Sequence, residues 1–204
     1  MSGFERAVAA RAASLLLRYP DAEVLAALPV LRAAVAELPP RLSTPLSTVA
    51  EHHAATAPTD LAACYVDTFD FRRRCSLHLT YYTHGDTRLR GAALVAFAAA
   101  YRRAGLVVDG GELPDYLPAV LDLAAVDEGG WRLLREHRVG LDLLAAALDR
   151  DRSVYAHAVH AVRLLLPPPG PGDLAAAARL ARSGPPAEQV GLEPFALTRI
   201  GGRR

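Results

Sequence analysis

The chain has 204 residues, 51% of them apolar, and its 23 basic and 22 acidic side chains leave a net charge of +1. That length suits one domain with a sizeable core. The interspersed charge, whose only short basic run is Arg72-Arg73-Arg74, excludes the stripe of a nucleic-acid binder, and the absence of lysine excludes phosphate-loop, Schiff-base and general-base lysines.

The apolar fraction is mostly Ala and Leu, which lose little side-chain freedom in a helix and so favour helices over strands. Met1-Ser2-Gly3-Phe4-Glu5-Arg6 has no charged-then-apolar leader, and the longest apolar run, residues 92–101, is far short of the ~20 residues that cross a bilayer. The expectation is a cytoplasmic protein, not inserted in a membrane, with Cys64 and Cys75 reduced.

In chain order, Ser2 and Glu5 predict a capping box, followed by Val8, Ala12, Leu15 and Leu16 at helical spacing up to Pro20. Asp21 caps a second helix that Pro29 is expected to interrupt, with Leu31, Val35 and Leu38 continuing to Pro39-Pro40. Thr44-Pro45 reads as a helix start, and Thr59 as the cap of a helix carrying Leu61, Tyr65 and Phe69. Residues 72–82 alternate as a strand would, at Leu77, Leu79 and Tyr81, with no pairing partner nearby. Asp86 or Thr87 opens a long helix to Gly105, with Arg90, Arg102 and Arg103 toward solvent, and residues 107–111 make a tight connection. Helices are expected over residues 115–126, over 131–148, and after a Ser153 cap through Leu166. The expected fold is an all-α, single-domain helical bundle over residues 1–166. Residues 167–204 are expected to be a Pro/Gly linker, a short Ala-rich helix over residues 173–182 and a flexible tail.

Chemistry is sparse. His52 and His53 point about 100° apart on a helix and cannot easily share an ion. His157 and His160 could, but no carboxylate shares their helix face to complete a site. The two cysteines lack zinc spacing and read as small hydrophobes. His84-Gly85-Asp86 suggests, as an alternative function, a small all-helical metal-dependent hydrolase, for which no further ligands can be assembled; a turn with Asp86 as a cap is favoured. Glu112 and Asp115 could serve acid–base work, though Asp115 equally caps the following helix. No phosphate loop or nucleophile elbow is present, and no metal or cofactor is expected.

Two segments hold more aromatic and polar residues than a bundle needs. The first runs from Tyr65-Val66-Asp67-Thr68-Phe69-Asp70-Phe71-Arg72-Arg73-Arg74 through Leu77, Tyr81-Tyr82-Thr83-His84-Gly85-Asp86, Arg88 and Arg90 to Gly91, and the second is Glu112-Leu113-Pro114-Asp115-Tyr116-Leu117-Pro118. The first resembles the signature of the nitrate reductase molybdenum-cofactor assembly chaperones, the delta-subunit or NarJ family, within the TorD-like redox-enzyme maturation chaperones. The second resembles the wider family's acidic Glu-Xaa-Pro-Asp loop, with Tyr116 where His is common. The resemblance covers about a quarter of the chain.

The resemblance implies a non-enzymatic cytoplasmic chaperone that binds the apo catalytic (alpha) subunit of respiratory nitrate reductase. It would bind that subunit's N-terminal segment and keep it competent for cofactor insertion, with molybdenum-cofactor biosynthesis proteins as further partners. Such a peptide would lie as a basic amphipathic helix in an apolar groove with an acidic rim. Tyr65, Phe69, Tyr81, Tyr82 and Tyr116 are the expected aromatic anchors. Asp67, Asp70, Asp86, Glu112 and Asp115 are the carboxylates for client arginines. Arg73, Arg74, Arg88 and Arg90 hold the loops, and Leu77 and Pro114 complete the set. All are expected to converge on a single cleft.

Overall fold

The computed structural model describes residues 2–108 and 111–186. Among them the regular elements are helices α1 (Gly3–Leu16), α2 (Ala22–Ala36), α3 (Pro40–Ala55), α4 (Pro58–Phe69), α5 (Tyr81–His84), α6 (Arg88–Arg103), α7 (Leu117–Val126), α8 (Glu128–Glu136), α9 (Arg138–Arg150), α10 (Tyr155–Leu164) and α11 (Pro171–Ser183). The chain is an all-α bundle, as its composition predicts. Residues 187–204 of the tail expected from Ser183 to Arg204, and positions 109–110 of the predicted tight connection, lie outside the described residues.

The axis of the bundle is α1. Its Ala9, Ala10, Ala12, Ala13, Leu16 and Leu17 are almost wholly buried, and the small alanines let neighbouring backbones approach closely. It packs against α7, α10, α2 and α3. The buried Ser14 hydroxyl donates to the Pro118 carbonyl at 2.9 Å, pinning α1 to the first turn of α7. Such an internal bond removes the cost of burying the hydroxyl. The predicted Ser2/Glu5 capping box is present, and Asp21 accepts from the Val24 amide to cap α2.

Proline misled the boundaries. Pro29 sits inside an unbroken α2. Its ring lies on the exposed face, where water can serve the Leu25 carbonyl that has lost its amide partner. Pro45 likewise lies within α3, which begins earlier with Pro40 at its first position. Helix α4 starts at Pro58, so Ala57 stands at the cap instead of Thr59. Val154 occupies the N-cap of α10 without a side-chain bond, one residue after the expected Ser153.

The helix expected over 131–148 is two helices, broken at His137. Asp127 caps α8, which therefore begins earlier, at Glu128. A Cβ on Gly130 would lie 2.2 Å from the Ala124 nitrogen and 2.5 Å from its Cα, so only glycine lets α8 pass α7. Gly140 performs the same service for α9, where a Cβ would meet the Leu79 carbonyl oxygen at 2.9 Å. At the break the His137 ring packs 4.7 Å from Phe97 of α6.

Two histidines sit inside as neutral groups. Burial, then neighbouring His52, pushes the His53 imidazole from its ordinary 6.5 down to about 4. Burial, then His84, brings His137 from 6.5 to about 4, with Asp115 opposing. Gly130→Ala is expected to cost about 2 kcal/mol or more in urea unfolding, because the clash is with backbone. Both histidines titrate lower when folded, so the unfolded chain binds more protons between about pH 4 and 6.5. Stability should therefore fall as pH drops through that window, by up to ~1.4 kcal/mol per pH unit per histidine. Thermal melts at pH 7, 6 and 5 test this, and His137→Gln should flatten the decline.

Candidate functional site

The two unusual segments meet in space. His78 and Tyr116 form an isolated antiparallel bridge. The Leu79 amide donates to the Asp115 carbonyl at 3.0 Å and the Leu117 amide to the Leu77 carbonyl at 2.8 Å. Of the alternation at Leu77, Leu79 and Tyr81 only the single bridge at His78 is realised, paired with the loop before α7, since Thr80 already has helical backbone angles and Tyr81 opens α5. Arg73–Cys75 forms a 3-10 turn ahead of it.

The bridge is held by Asp115, which is fully buried. Its Oδ2 accepts from the Thr80 amide at 3.1 Å and from the Thr80 hydroxyl, and its Oδ1 lies 3.2 Å from His78 Nδ1. Arg90 Nη2 stands 3.5 Å away, and Arg90 Nε donates to Thr80 Oγ1 at 3.1 Å. Burial alone would raise the Asp115 pKa, but the bonds from His78 and Thr80 and the charges of His78 and Arg90 outweigh it, so the group lies below the usual carboxylate range. Two expectations are corrected here. Asp115 neither caps α7 nor faces a ligand, since Tyr116 occupies the cap and the carboxylate is consumed by its own chain. Arg90, only 16% exposed, turns inward.

A second knot forms around Asp151, the C-cap residue of α9. It accepts from Arg72 Nη1 at 3.0 Å and from Arg74 Nη2 at 2.8 and 2.9 Å. These bonds, Arg74's first, hold its carboxyl below the ordinary value. Arg72 also pairs with Asp67. The buried Cys75 thiol lies 3.8 Å from Asp151, and burial, then that charge, pushes it up to about 11. This thiol is a packing group. On the surface Arg73 and Arg90 clamp Asp86, at 2.9 and 3.3 Å.

The expected single cleft is divided. Tyr65, Phe69, Leu77 and Tyr82 are 5%, 8%, 4% and 4% exposed and belong mainly to the core. The Tyr65 and Phe69 rings pack on each other and on Tyr155, and the Tyr82 hydroxyl donates to the Arg74 and Ser76 carbonyls. The Tyr65 hydroxyl bonds the Leu17 carbonyl and meets the Tyr116 hydroxyl at 3.1 Å. Glu112 and Tyr116 line an open cleft of about 410 Å³ with Arg18, Tyr101, residues 106–108 and the outer face of α7. Arg74, Tyr81 and Tyr82 line another, of about 210 Å³, between α9 and α11. Asp67, Asp70 and Arg88 are exposed, and Pro114 is half-buried beside Asp115.

The sequence also passed over an apolar groove of about 450 Å³ between α1, α2 and α7. It is lined by Val8, Leu15, Val30 and Leu31 among others, and shares Asp122 and Val126 with the Glu112 cleft. Both lie along α7, with Val30, Val107 and Val126 more than 70% exposed. Its signal was there: aliphatics on the outer face of an otherwise well-packed α7. Metal chemistry finds no support in the geometry. Asp86 is held by two arginines and His84 Nδ1 by the Thr83 hydroxyl, and no three-ligand cluster forms among the described residues. His160 does meet a carboxylate, Asp149 of α9 at 2.9 Å, which the reading of one helix face missed. No helix among the described residues is long and apolar enough to cross a membrane.

Asp115→Ala would strand Arg90 and the Thr80 amide, costing about 3 kcal/mol in urea unfolding. Amide exchange at Leu79 and Leu117 should accelerate with it. An unchanged midpoint with unchanged protection would show that the carboxylate does not hold the bridge.

Residues 21–161 match the family model described as nitrate reductase delta subunit. The chain is 45% identical to the nitrate reductase-like protein NarX of Mycobacterium tuberculosis over 152 residues, 74% of this chain and 23% of that protein. It is 33% identical over 163 residues to the probable nitrate reductase molybdenum cofactor assembly chaperone NarJ of Bacillus subtilis, covering 78% of this chain and 89% of the relative. Against the NarJ chaperone of Escherichia coli K12 it is 34% identical over 152 residues, 70% of this chain and 63% of the relative. It thus spans about a quarter of the NarX protein and most of the Bacillus chaperone. With its fold and both signature segments in place, the chain belongs to the nitrate reductase delta subunit family.

Proposed function

We propose that the chain is a cytoplasmic, non-enzymatic assembly chaperone for respiratory nitrate reductase. It holds the apo catalytic subunit by its N-terminal segment while the molybdenum cofactor is inserted, working alongside molybdenum-cofactor biosynthesis proteins. The relatives named as such chaperones support the role. The observation that carries the peptide-binding part is the pair of clefts along α7, about 410 and 450 Å³, lined by the exposed Val30, Val107 and Val126 and by Glu112. A helix of 15–20 residues is about 23–30 Å long and presents an apolar stripe at i, i+3, i+4 and i+7. Aliphatic side chains on that stripe fill the grooves, and basic residues beside it meet Glu112. Tyr116, fixed by Tyr65, gives the cleft a rigid aromatic wall. The remaining signature residues, Asp67, Asp70, Arg73, Asp86 and Arg88 among them, act by shaping the loops next to this cleft.

Calorimetry with a peptide copying the first ~15–20 residues of the catalytic subunit tests the reading. Val126→Asp and Glu112→Arg are each expected to weaken binding about tenfold, roughly 1.4 kcal/mol. The melting temperature should hold, since Val126 is 72% exposed and Glu112 lies on the surface. Absence of wild-type binding, with normal nitrate reductase activity in a strain lacking the chaperone, rejects it.

A further inference from the structure

Helix α11 covers part of the signature segment and fits it poorly. It follows the Pro167-Pro168-Pro169-Gly170 linker and packs along α9, yet none of its residues is buried. Closely packed helices leave few voids larger than a water molecule. Here a solvent-open depression of about 210 Å³ lies between Leu180 on one side and Tyr81, Leu143 and Ala147 on the other. The chain after α11 continues over the signature turn. Gly85, at φ 57°, lies so close beneath it that a Cβ would stand 1.7 Å from the Pro186 carbonyl oxygen. The rim carries Arg150, and Arg74 bonded to Asp151, whereas the cleft along α7 is lined by Glu112 and Asp122 with the cation Arg18.

We propose that α11 is a displaceable cover over a second docking surface, the face of α9 beside Tyr81, and that an apolar helix with acidic flanks on the catalytic subunit displaces it. The identity of the client rests on the chaperone reading above; the cover itself rests on the packing of α11. The charge of the rim selects the occupant. With Arg74 bonded to Asp151, the Arg150 guanidinium repels a basic N-terminal segment and attracts a carboxylate, so the two surfaces take different parts of one client. Displacement is inexpensive because α11 surrenders no fully buried side chain, while the incoming helix gains the apolar face of Leu143, Ala147 and Tyr81. A cover closed about nine-tenths of the time lowers the apparent affinity of this surface about tenfold.

The test keeps the full chain and changes Leu180 in two directions. Leu180→Arg adds a third cation beside Arg74 and Arg150 and lifts the cover. Leu180→Asp puts a carboxylate there and fastens it. Binding of purified apo catalytic subunit should tighten about tenfold in the first and weaken by a similar factor in the second, while the isolated N-terminal peptide binds both as wild type. A client-free measurement runs in parallel. Maleimide labelling of Ala147→Cys, read site by site against Cys64 and Cys75, should be faster with Leu180→Arg and slower with Leu180→Asp, since Ala147 is 6% exposed under the cover. Shifts of both variants in the same direction in either measurement, or none in either, overturn the proposal, as does dimerisation of Leu180→Arg, which would make a second copy the occupant. If the peptide fails to bind while the two variants diverge, the cover stands and the peptide's placement along α7 falls. If the subunit itself does not bind, both fall.

Discussion

A fully buried carboxylate must be satisfied by the groups packed around it, and at Asp115 this requirement organises the molecule's most unusual region. The carboxylate draws an amide, a hydroxyl, an imidazole and a guanidinium around it, from the extended stretch before α5 and from α6. Breaking such an arrangement from one side leaves uncompensated groups in a dry interior. Its partners are thereby confined to narrow geometries, and with them the backbone that carries Leu77, Leu79 and Leu117. Gly140 lets α9 close over the same stretch, so the knot is sealed from outside by a helix.

The division of labour among the signature residues follows. The acids and arginines concentrated between positions 65 and 118 largely spend their charge on one another: Asp115 with His78 and Arg90, Asp86 with Arg73 and Arg90, Asp67 with Arg72. Most of the tyrosine bulk is likewise core, tied by hydroxyl bonds to Leu17, Arg74 and Ser76 carbonyls. The open grooves are lined mainly by the outward aliphatics of α7 and α2 and the stretch around Val107, with Glu112 and Tyr116 the signature residues among them.

Much of the fold was legible because it rests on local rules. Ser2 with Glu5, Asp21, and the apolar spacing of residues 8–16 and 155–166 act over a few residues, and each appears where expected. Proline was less reliable. Pro29 and Pro45 are tolerated because one lost hydrogen bond near the surface is cheaper than giving up a helix that buries Leu28, Leu31, Leu42 and Leu46. Contacts between distant positions were invisible: nothing near residue 78 reports Tyr116, nothing near Arg74 reports Asp151, and a single apolar stripe over 131–148 conceals the break at His137. The site suffered most, since aromatic and charged residues look alike whether they face a partner or hold a loop. Only burial separates Phe69 from Tyr116.

The bridge between residues 77–79 and 115–117 also bears on when the molecule becomes competent. Capped helices such as α1 and α2 can begin to form from neighbouring residues alone, whereas this pairing must close a loop of nearly forty residues, α6 included, before any of its bonds can form. The cleft wall that Tyr116 provides therefore forms later than the capped turns of α1 and α2, once α6 and its flanking loops have been brought together. A copy that loses this pairing keeps its locally capped helices but loses the aromatic wall of the cleft along α7.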